Sequence, residues 1–118
     1  MISSDVLRGY NDTIILSLLL DKDSYGYEIS REIESRSKGS YSMKETTLYS
    51  AFIRLLKNGY IMSYYGDETF GKRRTYYRIT ESGIKFHHEK CKEWELTKEL
   101  IDRFTQNDMK GSISNGSD

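Results

Sequence analysis

The spacing of apolar and polar residues predicts a helical chain with one β-hairpin. Apolar residues at helical spacing predict a first helix from about Asp5 to Leu20. A polar break at 21–23 follows, and Ser24 is expected to cap a second helix that ends near Ser37 and turns Ile29 and Ile33 toward the core. Two consecutive helices are therefore expected in the first third of the chain, and the broad apolar surface of the first predicts that it is buried on more than one side.

The middle of the chain predicts a third helix. Ser42 and Glu45 have the spacing of a capping box, in which a hydroxyl and a carboxylate satisfy each other's free backbone donors. Asn58-Gly59 marks the end of this helix. Its predicted core residues are Leu48, Phe52, Leu55 and Leu56.

After Gly59 the apolar period changes from 3.6 to 2, which indicates strands. Residues 60–65 and 75–79 read as the two arms of a hairpin, with 66–71 between them. Thr80 is expected to cap a long helix from Glu81 to about Gln106, and residues 107–118 read as a disordered tail. A helix-turn-helix followed by a hairpin predicts an α+β, mainly helical fold, the winged helix-turn-helix, over residues 1–80.

The long terminal helix, residues 81–106 of the same domain, is predicted to be a dimerisation helix. It carries apolar residues on two stripes: one can pack on its own domain, and the other is expected to be covered by another copy of the chain. The first stripe has the alternating spacing of a coiled-coil seam and comprises Ile84, His87, Cys91, Trp94, Lys98 and Ile101.

Charge is balanced over the chain but is not evenly distributed. The formal net charge of the 118 residues is +0, whereas residues 54–78 hold Arg54, Lys57, Lys72, Arg73, Arg74 and Arg78 against Asp67 and Glu68. Such a basic helix–hairpin unit suits the phosphates of double-stranded DNA, although a solvated hairpin carries similar residues. The charge pattern alone leaves both readings open.

Composition limits the cellular compartment that we expect for the protein and the kinds of catalytic or metal site that it can contain. A single cysteine, Cys91, excludes an internal disulfide, and no apolar run has membrane-spanning length, so we expect a soluble cytoplasmic protein with no membrane partner. The chain has no glycine-rich phosphate loop, nucleophile elbow or converging carboxylate pair. His87 and Cys91 lack companions that would complete a metal site. We therefore expect no enzyme, no cofactor and no metal.

Four motifs resemble those of the PadR-type transcriptional regulators, in the same order and spacing. They are Val6-Leu7-Arg8-Gly9-Tyr10, Ser24-Tyr25-Gly26-Tyr27-Glu28-Ile29, Thr47-Leu48-Tyr49 and Arg73-Arg74-x-Tyr76-Tyr77-Arg78-Ile79-Thr80. The resemblance covers residues 5 to about 104, with Ser50 standing where the family often has proline. It implies the small branch of the family: a homodimeric repressor, released from DNA by a small aromatic or amphipathic ligand.

DNA contacts are expected from hydroxyls and cations at exposed positions, and the resemblance implies Tyr49 among them. On the third helix they are Lys44, Thr46, Thr47, Tyr49, Ser50 and Arg54, and on the wing they are Lys72, Arg73, Arg74 and Tyr76. Strand alternation places Arg73 and Arg74 on opposite faces, so one of them is expected to contact a pseudo-palindromic operator. Tyr76 and Tyr77 are likewise expected on opposite faces of the strand, with one of them in the core.

Trp94, the single tryptophan, marks the predicted ligand site. Two copies near a symmetry axis would sandwich an aromatic ligand, with Val6, Tyr10 and Thr13 as the opposite wall. Filling of the dimer core by Trp94 is the competing interpretation. At the level of function, the alternatives are a winged-helix protein-interaction module without sequence-specific DNA binding, and a small-molecule carrier.

Overall fold

The computed structural model describes the backbone of residues 2–69 and 72–114, and the side chains of residues 2–66 and 73–106. Contacts divide the chain into two units, one ending at His87 and one beginning at His88. None of the described helices combines the length and the apolar character that a membrane span requires.

Helices form most of the structure, and their order confirms the predicted mainly helical winged fold. The predicted first helix is divided into α1, Ser4–Leu7, and α2, Asn11–Asp21, by a 3-10 turn at Arg8–Tyr10. The remaining helices are α3, Gly26–Arg36; α4, Glu45–Lys57; and α5, Glu81–Ser114.

In the part of the chain that the structure describes, the sheet has three antiparallel strands in the order β1-β3-β2, one more than the sequence predicted. The hairpin strands are β2, Ile61–Thr69, and β3, Lys72–Ile79. The additional strand, β1, is Ser24–Tyr25, which pairs with Tyr77 and Tyr76 of β3. Ser24 is therefore not the N-cap of α3. Its hydroxyl donates instead to the Glu28 carboxylate at 2.5 Å.

Among the described residues, an apolar core lies between α2, α3, α4 and the sheet. The side chains of Ile15, Leu16, Ile29, Leu48, Phe52 and Leu55 are almost completely buried. Leu56 was predicted to belong to this core but is 36% exposed. Tyr41 and Met43, in the loop between α3 and α4, are buried in its place, and the Tyr41 hydroxyl donates to the Asn11 side-chain oxygen at 2.6 Å.

Both ends of α4 are fixed by backbone geometry. The predicted capping box does not form, because Lys44 is the N-cap and makes no side-chain cap hydrogen bond. At the other end Gly59 has φ 76°, a left-handed conformation that favours glycine, and the amide of Tyr60 donates to the carbonyl of Leu55 at 2.9 Å. Asn58-Gly59 thus ends the helix as the sequence predicts.

The terminal helix α5 is capped by Thr80, whose hydroxyl oxygen accepts from the Gly83 amide at 3.1 Å. The helix ends at Ser114 rather than near Gln106, so residues 107–114 are helical rather than part of the predicted tail. Residues 115–118 lie outside the described chain. Near its start, Phe86 stacks on Tyr60 with ring centroids 4.2 Å apart.

Gly83 seats α5 on the turn after α4, and its substitution gives a stability prediction. A methyl group at this position would collide with the Tyr60 carbonyl oxygen and lie 2.8 Å from Ile79 Cγ1. We expect Gly83→Ala to lower the free energy of unfolding by about 1–3 kcal/mol, measured by urea denaturation. Gly9→Ala is the matched control, since nothing lies within 4 Å of the added carbon. Equal stability of the two variants would contradict this packing.

Candidate nucleic-acid interface

Helix α4 presents a polar face opposite its buried one. Leu48, Ala51, Phe52 and Leu55 face the core, whereas Thr46, Tyr49 and Ser50 are exposed in the first turns. Thr47 is half-buried at the edge of this face, and Lys44 is exposed just before the helix. Hydroxyl groups at the start of an exposed helix are suited to contacting phosphates and base edges in a major groove.

An open groove of about 540 Å³ runs between this face and the start of α2. It is lined by Arg8, Gly9, Asn11, Asp12, Thr46, Thr47, Ser50 and Arg54. Arg8 was not among the residues predicted from sequence, because the apolar spacing indicated one continuous helix over residues 5–20. The glycine after Arg8 was the available signal of the 3-10 turn that brings this arginine to the groove.

Arg54 ties α4 to α2 at the edge of the groove. Its Nε and Nη2 groups donate to the two carboxylate oxygens of Asp12 at 2.9 Å and 2.5 Å. This two-point hydrogen bond raises the pKa of Arg54 and offsets its charge locally. The contact holds the two helices together whether or not Arg54 also reaches a phosphate.

Tyr49 is held in place by packing from two sides. Its ring meets Phe52 edge to face, with centroids 5.4 Å apart and planes at 83°. Its hydroxyl lies against Gly26, where any Cβ atom would overlap it. Glycine at the start of α3 therefore lets this tyrosine lie close to that helix while remaining 43% exposed.

Phe52 also connects α4 to the wing. It stacks on Tyr77 of β3 with centroids 4.0 Å apart and planes at 19°, and both rings are buried. Burial, and next the proximity of Tyr49, raise the pKa of Tyr77. Of the paired wing tyrosines, Tyr77 is the core residue and Tyr76 lies half-buried on the opposite face.

The wing arginines are exposed and lie over aromatic rings. The guanidinium carbon of Arg73 is 5.6 Å from the centroid of Tyr65, and that of Arg74 is 4.4 Å from Tyr25. Alternation along β3 places Arg73 on the side of Tyr77 and Arg74 on the side of Tyr76. Lys72 lies in β3, but its side chain falls outside the described ones.

The outer face of the sheet carries a ladder of rings and charges around Asp23. Tyr76 contacts Tyr25 and Tyr64 at centroid distances of 5.3 Å and 5.7 Å. Tyr64 and Arg78 donate to the same Asp23 oxygen, at 2.5 Å and 3.0 Å. Partial burial raises the pKa of Asp23, but these hydrogen bonds outweigh it, and the pKa is lowered. The ladder fastens the wing to the segment that precedes α3.

The residues predicted for a dimer or ligand site are divided between the two units at His87 and His88. Val6 is exposed, and Tyr10 and Thr13 are half-buried. On α5, Ile84, Cys91, Trp94, Lys98 and Ile101 are exposed and His87 is half-buried. Within the described part of the chain, no three His, Cys, Asp or Glu side chains are grouped to hold a metal ion.

Comparison with known proteins places this geometry in a family. Residues 15–89 match the model of the transcriptional regulator PadR-like family. The chain belongs to this family. The resemblance drawn from the four motifs is thereby confirmed, and the protein is a DNA-binding transcriptional regulator rather than an enzyme.

Two solved regulator structures and one further relative are similar to this chain. A transcriptional regulator from Clostridium thermocellum shares 66% identity, with a TM-score of 0.83 over 88% of this chain and 98% of that one. A PadR family regulator from Clostridium difficile R20291 shares 37% identity, with a TM-score of 0.70 over 81% and 98%. An uncharacterized protein of Lysinibacillus sphaericus is 51% identical over 90% of this chain and 97% of its own.

The Asp23 ladder predicts a pH-dependent contribution to stability. A carboxyl whose pKa is lowered by folding stabilises the protein above its unfolded pKa of about 3.9, and this contribution is lost as the pH falls through the folded value. Asp23→Asn should therefore be less stable than the wild type at pH 7, and the difference should shrink at pH about 3. Chemical denaturation at both pH values measures it. A difference that does not change with pH would show that the Asp23 charge is not involved.

Proposed function

We propose that the protein is a homodimeric transcriptional repressor that binds a pseudo-palindromic operator through α4 and the β2–β3 wing. The observation that carries the proposal is the exposed face of Thr46, Tyr49 and Ser50, coupled to the arginine-bearing strand by the Phe52–Tyr77 stack. In a winged helix, such a helix enters the major groove while the hairpin reaches the adjacent backbone or minor groove.

Base and backbone contacts are assigned within this proposal. Thr46, Tyr49 and Ser50 would meet base edges or phosphates, with Thr47 beside them. Phosphate contacts are proposed for Lys44, for Lys72 and for one of Arg73 and Arg74, which lie on opposite faces of β3, with Tyr76 supporting the wing. Arg8 is added because it lines the same groove as the helix hydroxyls. Arg54 joins them at the edge of the groove, where Asp12 orients it.

The proposal of a homodimer rests on the second unit. None of the side chains from residue 88 to 106 is buried. Five of them are large and apolar and are between 43% and 67% exposed: Trp94, Leu96, Leu100, Ile101 and Phe104. An isolated helix gains little stability in water without packing of its apolar face. A second copy of α5 would cover this surface, and a two-fold dimer would present two recognition helices about 34 Å apart.

Release by a small aromatic or amphipathic ligand beside Trp94 is the finer part of the proposal. Its support is a half-exposed indole in a helix whose apolar residues would otherwise face water. Reciprocity of coupling requires that ligand and operator weaken each other's binding by the same factor. The roles of Val6, Tyr10 and Thr13 remain sequence-based expectations. Because the target is genomic DNA, we propose a cytoplasmic location.

DNA binding should depend on the wing arginines and on salt. If a dimer neutralises about six phosphates, its operator affinity falls roughly a thousandfold between about 50 and 200 mM salt. An Arg73→Ala/Arg74→Ala variant should bind more weakly, with a salt slope that is shallower by about 0.9 for each phosphate that the variant no longer neutralises. Fluorescence anisotropy with DNA from upstream of the protein's own gene measures both.

The matched control for charge is Lys22→Ala/Arg36→Ala. These cations pair with Glu28, Asp21 and Glu32 around the two ends of α3, so their removal should leave operator affinity nearly unchanged. If both double variants bind DNA as the wild type does, the wing does not contact DNA. The alternative of a winged-helix protein-interaction module would then be favoured.

Dimerisation should fail when a charge is placed in the α5 seam. We expect Ile101→Glu to convert a dimer into a monomer, because a carboxylate buried without a partner is strongly unfavourable. Light scattering coupled to size-exclusion chromatography gives the mass of each species. Lys92→Glu, on the polar side of the same helix, is the control and should remain dimeric. A wild-type protein that is monomeric at micromolar concentration would contradict the proposed assembly.

A further inference from the structure

Ile53 occupies the centre of the outward face of α4. At 100° per residue, positions 46, 50 and 53 fall within one narrow sector of the helix, opposite the buried Leu48 and Leu55. The side chain of Ile53 is 67% exposed, the largest exposed fraction among the large apolar residues of this helix. It therefore projects between the hydroxyl-bearing turns and the helix end, on the surface proposed to face DNA.

The fold itself supplies no reason for isoleucine at this position. Ile53 is absent from the core cluster of buried and partly buried apolar residues. A β-branched side chain also has a lower helix propensity than the straight-chain polar residues usual on a solvated helix face. Single exposed apolar residues are common on protein surfaces, so what distinguishes Ile53 is its position on the face of α4 that carries the hydroxyls.

We propose that Ile53 contacts the 5-methyl group of a thymine and thereby selects an A·T pair at one position of each operator half-site. This inference rests on the DNA-binding function proposed above. Base edges in the major groove display hydrogen-bonding atoms and one apolar group, the thymine methyl. A hydrocarbon side chain cannot form hydrogen bonds with the polar atoms of the base edges. The methyl is thus the base feature that Ile53 can contact favourably.

The neighbouring residues suit this assignment. Thr46 and Ser50 are on the same face and carry hydroxyls that can contact the adjacent base pairs. Tyr49 is one turn before Ile53, and its position is fixed by Phe52 and Gly26. A fixed helix face with one apolar position would read one methyl group in a defined register, flanked by polar contacts.

The test is a thymine-to-deoxyuridine scan, which removes one methyl group at a time. The duplex used is an operator selected from randomised DNA with the wild-type protein, and affinity is measured by anisotropy at fixed salt. Removal of one buried methyl group should weaken wild-type binding about fourfold at one thymine in each half-site. Ile53→Ala should bind the thymine and deoxyuridine forms of that site equally, whereas Ile53→Val should retain part of the discrimination.

Leu56→Ala is the matched control, an apolar truncation one turn further along α4 at a residue that is 36% exposed. It should keep the wild-type sensitivity to deoxyuridine. If the effects of Ile53→Ala and of deoxyuridine on affinity simply multiply at every thymine, Ile53 does not contact a methyl group. This inference is then overturned, whereas the proposed operator binding is not. If selection recovers no preferred sequence, the proposed operator-binding function is overturned together with it.

Discussion

The stacking of Phe52 on Tyr77 joins the two elements that a winged helix brings to DNA. Phe52 belongs to the buried face of α4 and Tyr77 to the inner face of β3, and their rings are parallel within 19°. This contact is part of the apolar core that α4 shares with the sheet. Stacked aromatic pairs contribute about 0.5–1.5 kcal/mol beyond the area that they bury, and here the contact also fixes the spacing of two binding elements.

Contacts on the surface also restrict the orientation of several arginine side chains. Arg54 is oriented by Asp12, Arg78 by Asp23, and Arg74 by the ring of Tyr25. These contacts orient the side chains in the free protein, so under the proposed function Arg54 and Arg74 would lose less conformational entropy on binding DNA. The zero net charge of the whole chain does not oppose DNA binding, because the phosphate field acts on the local arrangement of charge over a Debye length of about 10 Å.

Periodicity predicted the parts of the fold that are long and regular. Helices α3 and α4, the glycine that ends α4 and the β2–β3 hairpin follow from local spacing and turn chemistry. Strand β1 could not be predicted, because two residues have no period and pair only when β3 is already beside them. The capping box predicted at Ser42 does not form, also because of contacts between distant parts of the chain. Tyr41 and Met43, in the loop before α4, are buried in the core. The helix therefore begins after Lys44, which is its N-cap.

The candidate site likewise has features that the sequence predicted and features that it could not predict. The hydroxyl-bearing face of α4 and the division of Tyr76 and Tyr77 between two faces agree with the spacing in the sequence. Arg8 in the groove and the Arg54–Asp12 pair could not be foreseen, since each depends on how α2 lies against α4. Contacts between elements distant in the chain leave no local signal in one sequence.

The central claim is that the outward face of α4 enters the major groove of an operator, twice in each dimer. Dimethyl sulfate footprinting tests it directly, because the reagent methylates guanine N7, an atom displayed in the major groove. We expect two protected segments whose centres are about 10 base pairs, one turn of DNA, apart. Tight binding that leaves every guanine N7 of the operator reactive would contradict it.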